Sequence, residues 1–207
     1  MARKNHPRPA AAPPRDWRYN IIAIGASAGG LQALTEVLRP LPADFPAILV
    51  VQHLDPSHKS HLASLLARKT GKKVKQAQHG EPILPGIVYI APPDEHLLVG
   101  PGRIQLAHSQ LVHFSRPSID LLFESVAGMY GSRSIGVVLS GSNRDGAMGI
   151  RAIKQAGGTT LVQDPETAEF PIMPRSAIAT NCVDYVVPLQ EFAGKIEQLC
   201  CERIAAL

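Results

Sequence analysis

Three short segments carry the residue types that nucleophilic catalysis needs. Gly25-Ala26-Ser27-Ala28-Gly29-Gly30, Gln52-His53 and Ser140-Gly141-Ser142-Asn143-Arg144-Asp145-Gly146 each follow an apolar run. The first fits G-x-S-x-G, a sharp strand-to-helix turn whose flanking glycines leave room for a central serine. The N–H of the next residue, Ala28, would then face a developing oxyanion. A hydroxyl is a weak nucleophile at neutral pH and needs a base within hydrogen-bond reach, which His53 can supply. Asp145 can accept from the other imidazole nitrogen, fixing the tautomer and stabilising the imidazolium.

Taken singly, each residue has a plainer explanation. A glycine-rich turn after a strand also cradles phosphate, a histidine there is often a hydrogen-bonded loop residue, and Asp145 suits the N-cap of a helix at Gly146. Asp164 and Glu166 also follow an apolar run and are an alternative source of the carboxylate. His58 and His61, at i and i+3, permit a metal pair. No third ligand has suitable spacing, so a solvated helix start is preferred, and neither metal nor cofactor is expected. His6 falls near the N-terminus, and His79, His96, His108 and His113 fall in or beside an irregular stretch. Met173 and the four tyrosines read as packing residues.

The elements that must position these residues alternate between strand and helix. Buried strands are expected at residues 19–24, 47–52, 135–139, 159–163 and 185–187. Helices are expected at 31–38, from about 57 to 70, and at 118–129, 146–156 and 189–204, with a short one from Arg175. Between 74 and 115, strand-like pieces at 88–91, 96–99 and 103–107 lie among PG, PP and GPG turn signals, which predicts an antiparallel hairpin insertion. The whole reads as a doubly wound α/β domain with a mostly parallel sheet and helices on both faces. Ligands of such sheets bind beyond the carboxyl ends of the strands, where Ser27, His53 and Asp145 all fall.

Composition narrows the function classes. Apolar residues make up 45% and charged residues 18% of the 207-residue chain, as in an ordinary globular protein. No apolar run approaches the ~20 residues of a membrane helix, and the basic N-terminus has no apolar stretch of the secretory kind, so a cytoplasmic location is expected. Three cysteines, two of them adjacent, indicate no disulfide framework. Residues 1–18, rich in Pro, Ala and Arg, read as a disordered tail before a domain at 19–207. Five of the 21 basic and one of the 17 acidic residues lie in that tail, so the body is neutral. The cluster Arg68, Lys69, Lys72, Lys73 and Lys75 lacks interleaved aromatics and reads as a solvated helix end, so no nucleic acid is expected.

The order Ser…His…Asp differs from the Ser…Asp/Glu…His of ordinary α/β-hydrolases. On a doubly wound sheet it resembles the catalytic domain of the chemotaxis protein-glutamate methylesterases, the CheB family. The similarity rests on IIAIGASAGGLQAL, VVQHLDPSHKS, GEPILPGIVYIAPPDEHL, RPSID at residues 116–120, DGAMGIRAIKQAGG and MPRSAI at 173–178, in that order. It implies hydrolysis of glutamate γ-methyl esters on the cytoplasmic helices of chemoreceptors, together with deamidation of particular glutamines. It also implies Ser27 as nucleophile, His53 as general base and then acid, and Asp145 as its orienting partner. The backbone N–H groups of Ala28 and Ser142 would form the oxyanion hole.

Two departures from the family pattern stand out. Its usual turn is G-M-G-x-D-G, and this chain has Asn143 where a glycine is usual and Arg144 as a cation beside Asp145. Many members also carry an N-terminal receiver domain, for which 18 residues leave no room. Constitutive competence or control by a separate protein is therefore expected. Two other classes compete with the esterase: a non-catalytic signalling module that keeps the fold, and a phosphate-binding domain. The latter lacks both G-K-[ST] and G-x-G-x-x-G.

Overall fold

The structure is a computed structural model that describes residues 17–53, 60–112 and 115–201. Its centre is a seven-stranded parallel sheet in the order β3-β4-β2-β1-β7-β8-β9. The strands are β1 (Ile21–Ala26), β2 (Ala47–Gln52), β3 (Lys73–Gln76), β4 (Ile87–Ile90), β7 (Ser134–Val138), β8 (Thr159–Gln163) and β9 (Tyr185–Val187). Every residue of β1, β2 and β7 is buried. That is why these segments are apolar at all but one end residue of β2 and of β7 instead of alternating: both faces of a parallel sheet are covered.

Two helical layers do the covering. On one face lie α1 (Gly30–Leu38), α2 (Leu62–Thr70) and α6 (Phe192–Cys201), whose Leu34, Leu66 and Phe192 pack on Ile22, Ile24, Ile48 and Val50. On the other lie α3 (Ile119–Tyr130), α4 (Ala147–Gln155) and α5 (Ile172–Ile178), with Phe123, Ile150 and Ala177 against Ile21, Ala23, Leu49 and Val138. Alternate residues of β1 thus serve opposite cores, as the period of two in a strand requires.

One expectation needs correction. The segment at 88–91 is not part of an antiparallel insertion. As β4 it runs parallel between β2 and β3, pairing Val88 with both Ile48 and Val74. Only β5 (His96–Gly100) and β6 (Arg103–Ala107) form the antiparallel hairpin. The turn signals before β4 belong to a loop that docks on this hairpin instead, through Gly80 N–H to Ile104 O and Ile83 N–H to Gly102 O. Strand β3 was not foreseen, because its KVKQ is mostly polar and lies at the sheet edge.

Other boundaries shift slightly. Helix α5 begins at Ile172, three residues before Arg175, with Pro174 in its first turn, where a missing N–H costs nothing. Trp17 and Arg18, the end of the stretch read as a tail, reach the body: Arg133 donates to Trp17 O and Arg18 N–H to Cys200 O. Residues 1–16, and with them His6, lie outside the described residues, as do His58 and His113. In the basic cluster, Lys72 donates to Leu41 O and Lys75 pairs with Glu81 at 2.5 Å, while Arg68 and Lys69 close the last turn of α2. The three cysteines are free thiols, and burial pushes Cys200 up to about 12. Among the described residues no helix is long and apolar enough to cross a membrane.

Candidate active site

The chain builds outward from β1 first through β2 and β4, then through β7, β8 and β9, so the strand order reverses between β1 and β7. Loops diverge at such a switch point and leave a crevice at the carboxyl ends. Ala26 is in register with Gln52, and Gly25 with Val138, which puts Ser27 between His53 and Ser140 at one edge. The backbone ties them there: His53 N–H donates to Ala26 O at 3.1 Å and Ser27 N–H to Ser140 O at 3.0 Å.

The turn carrying Ser27 is tight. Gly30 N–H donates to Ser27 O at 2.9 Å, closing a four-residue turn, and Gly29 sits at φ 74° and ψ −3°. Those angles are the third position of a type II turn, which demands glycine. Ser27 itself has no left-handed backbone, so the conformational load of G-x-S-x-G falls on Gly29. Among the described residues the N–H groups of Ala28 and Ser142, the two expected oxyanion donors, have no acceptor.

Gln52 braces the serine and the histidine together. Its Nε2 donates to Ser27 O at 2.7 Å and to His53 O at 2.9 Å. A Cβ on Gly30 would come within 1.9 Å of Gln52 Oε1. Gly30→Ala is therefore expected to expel the Gln52 amide and spread Ser27 from His53. Activity should fall by roughly tenfold or more, the cost of small misplacements in a catalytic set. Thermal unfolding measured beside turnover checks this: activity must drop further than stability explains.

His53 Nε2 donates to Asp145 Oδ2 at 2.9 Å. Relative to the chymotrypsin template, in which Nδ1 faces the aspartate, the ring is used the other way round. The carboxylate is 2% exposed and heavily subscribed. Ile119 N–H donates to Oδ2 at 2.8 Å, while Asp120 N–H and the Ser118 hydroxyl donate to Oδ1 at 2.9 and 3.1 Å. These are the start of α3, where free N–H groups and the helix dipole favour an anion. Burial by itself would push the Asp145 carboxyl up. The His53 bond and the two backbone N–H groups outweigh that and hold it below its ordinary value.

Asp145 therefore does not cap the helix that follows it. Asp120 does, accepting from Gly146 N–H at 2.9 Å and Gly149 N–H at 2.7 Å. The two carboxylates cross over, each capping the other's helix. Behind them His96, wholly buried, accepts from Ser118 N–H through Nδ1 and donates to Gln110 O through Nε2. It thereby holds the entry to α3. None of these supports was read as functional from the chain, although Ser118 and Asp120 lie within RPSID.

Neither departure in the 142–144 turn disturbs the backbone. Asn143 does not have a positive φ, and the exposed Arg144 makes no ion pair with Asp145. Asn143 reaches inward instead: Oδ1 accepts from Asp145 N–H at 3.1 Å, and Nδ2 lies 3.0 Å from His53 Nδ1. Asp164 caps its own turn by accepting from Glu166 N–H, and the Glu166 side chain is 84% exposed. Neither meets His53. Met173 is buried, as read, with its sulfur against Gly141. His61 is the N-cap residue of α2, without a side-chain capping bond, and no group of three or more potential metal ligands occurs among the described residues.

A serine and an aspartate-bound histidine at the switch point of a parallel α/β sheet define a hydrolase-like class of protein. Within it, the family model for the CheB methylesterase matches residues 22–196, and the chain belongs to that family. It is 45% identical over 190 residues to a protein-glutamate methylesterase/protein-glutamine glutaminase of Anaeromyxobacter dehalogenans, covering 91% of this chain and 56% of that one. A putative enzyme of the same name from Leptospira interrogans is 44% identical, with 84% of this chain and 92% of that one covered. The catalytic domain of Thermotoga maritima CheB methylesterase superposes with a TM-score of 0.83 at 36% identity, over 87% of this chain and 98% of that one. The chain thus spans little more than half of the Anaeromyxobacter relative.

Proposed function

We propose that this chain is a serine hydrolase that removes methyl groups from glutamate γ-methyl esters on the cytoplasmic helices of chemoreceptor-like proteins, and that it also deamidates glutamines. Ser27 Oγ attacks the ester carbonyl while its proton passes to His53 Nδ1. The tetrahedral oxyanion takes hydrogen bonds from the N–H groups of Ala28 and Ser142. His53 then returns the proton to the leaving methoxide, and methanol departs from an acyl-Ser27 intermediate. Water attacks that ester, again giving its proton to His53, and the glutamate carboxylate leaves as Ser27 recovers its hydrogen. An amide follows the same route with ammonia as leaving group.

The observation that carries this reading is the Asp145–His53 pair beside Ser27. A buried carboxylate bonded to Nε2 leaves Nδ1 as the acceptor, the state that a general base requires. A protein substrate suits the rim, where Phe170 and Ile172 are 37% and 47% exposed on either side of Pro171, which is bridged to Gly141. Residues 19–207 act as the catalytic domain, in the cytoplasm, preceded by a basic segment whose Trp17 and Arg18 contact the body.

A serine-directed fluorophosphonate tests the reading. Ser27 is expected to label in the folded chain and to stop labelling in His53→Ala, because only an activated serine reacts. A folded chain that does not label at Ser27 would favour the non-catalytic module.

A further inference from the structure

We propose that Asn143 is a brake on the catalytic base: its side-chain amide caps His53 Nδ1 in the resting chain and must turn away before Ser27 can be activated. The inference rests on the serine-hydrolase reading above. Its polarity is set by two neighbours. Asn143 Oδ1 accepts from Asp145 N–H at 3.1 Å, so the atom 3.0 Å from His53 Nδ1 is Nδ2, a donor. His53 Nε2 lies 2.9 Å from the Asp145 carboxylate, so the neutral ring carries its hydrogen there and Nδ1 offers a lone pair.

Neutral imidazole has only one such lone pair. The hydrogen bond from Asn143 uses the same orbital that must receive the Ser27 proton, so capping and catalysis exclude each other. The serine bears this out on its own side: its hydroxyl has no hydrogen bond among the described residues. The capping geometry is also built in. Asn143 is anchored through Oδ1 to the backbone N–H of Asp145, the residue that orients the ring, in the side-chain-to-backbone turn that asparagine favours. Its φ is not positive, so the turn holds this side chain without a left-handed backbone.

Two variants separate the cap from the turn. Asn143→Ser keeps an oxygen that can accept Asp145 N–H two residues on but is too short to reach His53. Asn143→Ala removes both contacts. The measurement is the pseudo-first-order rate of Ser27 labelling by excess fluorophosphonate, taken with the melting temperature of each variant. Both are expected to label roughly three- to tenfold faster than the unaltered chain, the range for losing one competing hydrogen bond. Asn143→Ser should keep its melting temperature. A merely structural residue would give slower labelling or none of this gain.

Unchanged or slower labelling in a folded Asn143→Ser overturns the brake and leaves the esterase reading standing. Absence of Ser27 labelling in the unaltered chain and in both variants removes the esterase reading itself, and the brake with it. The nitrogen-15 spectrum of the unaltered chain gives a check that needs no variant. His53 Nδ1 should show the signal of a hydrogen-bonded, unprotonated nitrogen, and the signal of a free lone pair overturns the brake.

Discussion

Ser27→Ala and His53→Ala are each expected to slow methanol release from a methylated receptor helix by roughly 10⁶-fold, the loss found when the serine or histidine of a catalytic triad is removed. In the proposed mechanism Ser27 forms the covalent bond and His53 moves each proton, so losing either closes the same route. The double variant should therefore be scarcely slower than either single one. Losses that multiply would show the two residues acting independently and would break the mechanism. Asp145→Asn should retain more activity than either, because the aspartate orients and stabilises the imidazolium without taking part in bond-making. Methanol release from a purified, methylated receptor fragment measures all four chains, with circular dichroism to establish that each is folded.

Asp145 carries the second large effect, and it falls on stability as well as rate. Its carboxylate serves His53, Ser118 Oγ and the N–H groups of Ile119 and Asp120, all in a buried setting. Asp145→Ala leaves those donors without a partner. The expected loss is about 3 kcal/mol, since each stranded buried donor costs ~1–3 kcal/mol before local relaxation. Asp145→Asn should lose less, because the Ser118 hydroxyl can turn to accept the new NH2 group, but the amide still opposes one backbone N–H.

The pH dependence follows from the lowered carboxyl. A group held below its unfolded value, about 3.9 for aspartate, contributes stability that is fully present above that value. The contribution is lost as pH falls through the folded value. The gap in unfolding free energy between the unaltered chain and Asp145→Asn should therefore be constant near neutrality and shrink below about pH 4. Urea titrations at a series of pH values measure it. A gap that stays constant into strong acid would mean that the carboxylate is not the stabilising species.

The crossed caps explain why Asp145 bears so much. It lies 25 and 26 residues from the N–H groups that it accepts, and 92 from His53. A sequence window sees Asp145-Gly146 before a helix and reads a local N-cap. Packing of α3 against α4 brings the starts of the two helices together, and each aspartate then finds better-placed donors on its neighbour. Gly149 permits that approach, since a Cβ there would lie 2.5 Å from Phe123. Gly25 of β1 likewise leaves room for the start of α3, since a Cβ on it would lie 2.4 Å from Ile119.

Much of the site was determined by the chain itself. Apolar runs long enough for a strand, each ending in a glycine turn or a polar residue, put Ser27, His53 and Asp145 at one sheet edge once the strands run parallel. That inference needs only local periodicity and turn chemistry, which act over a few residues. The direction of β4 was not legible, because apolar content and a Pro-Gly turn are common to hairpins and buried parallel strands. Nor was the use of the imidazole, with Nε2 on the carboxylate and Nδ1 under Asn143, or the brace of Gln52 across two strands. Those contacts arise only when distant elements pack, where side chains choose partners by distance and by the cost of leaving a buried polar group alone. The residue types were set by the sequence, and their hydrogen-bond partners were decided by the tertiary structure.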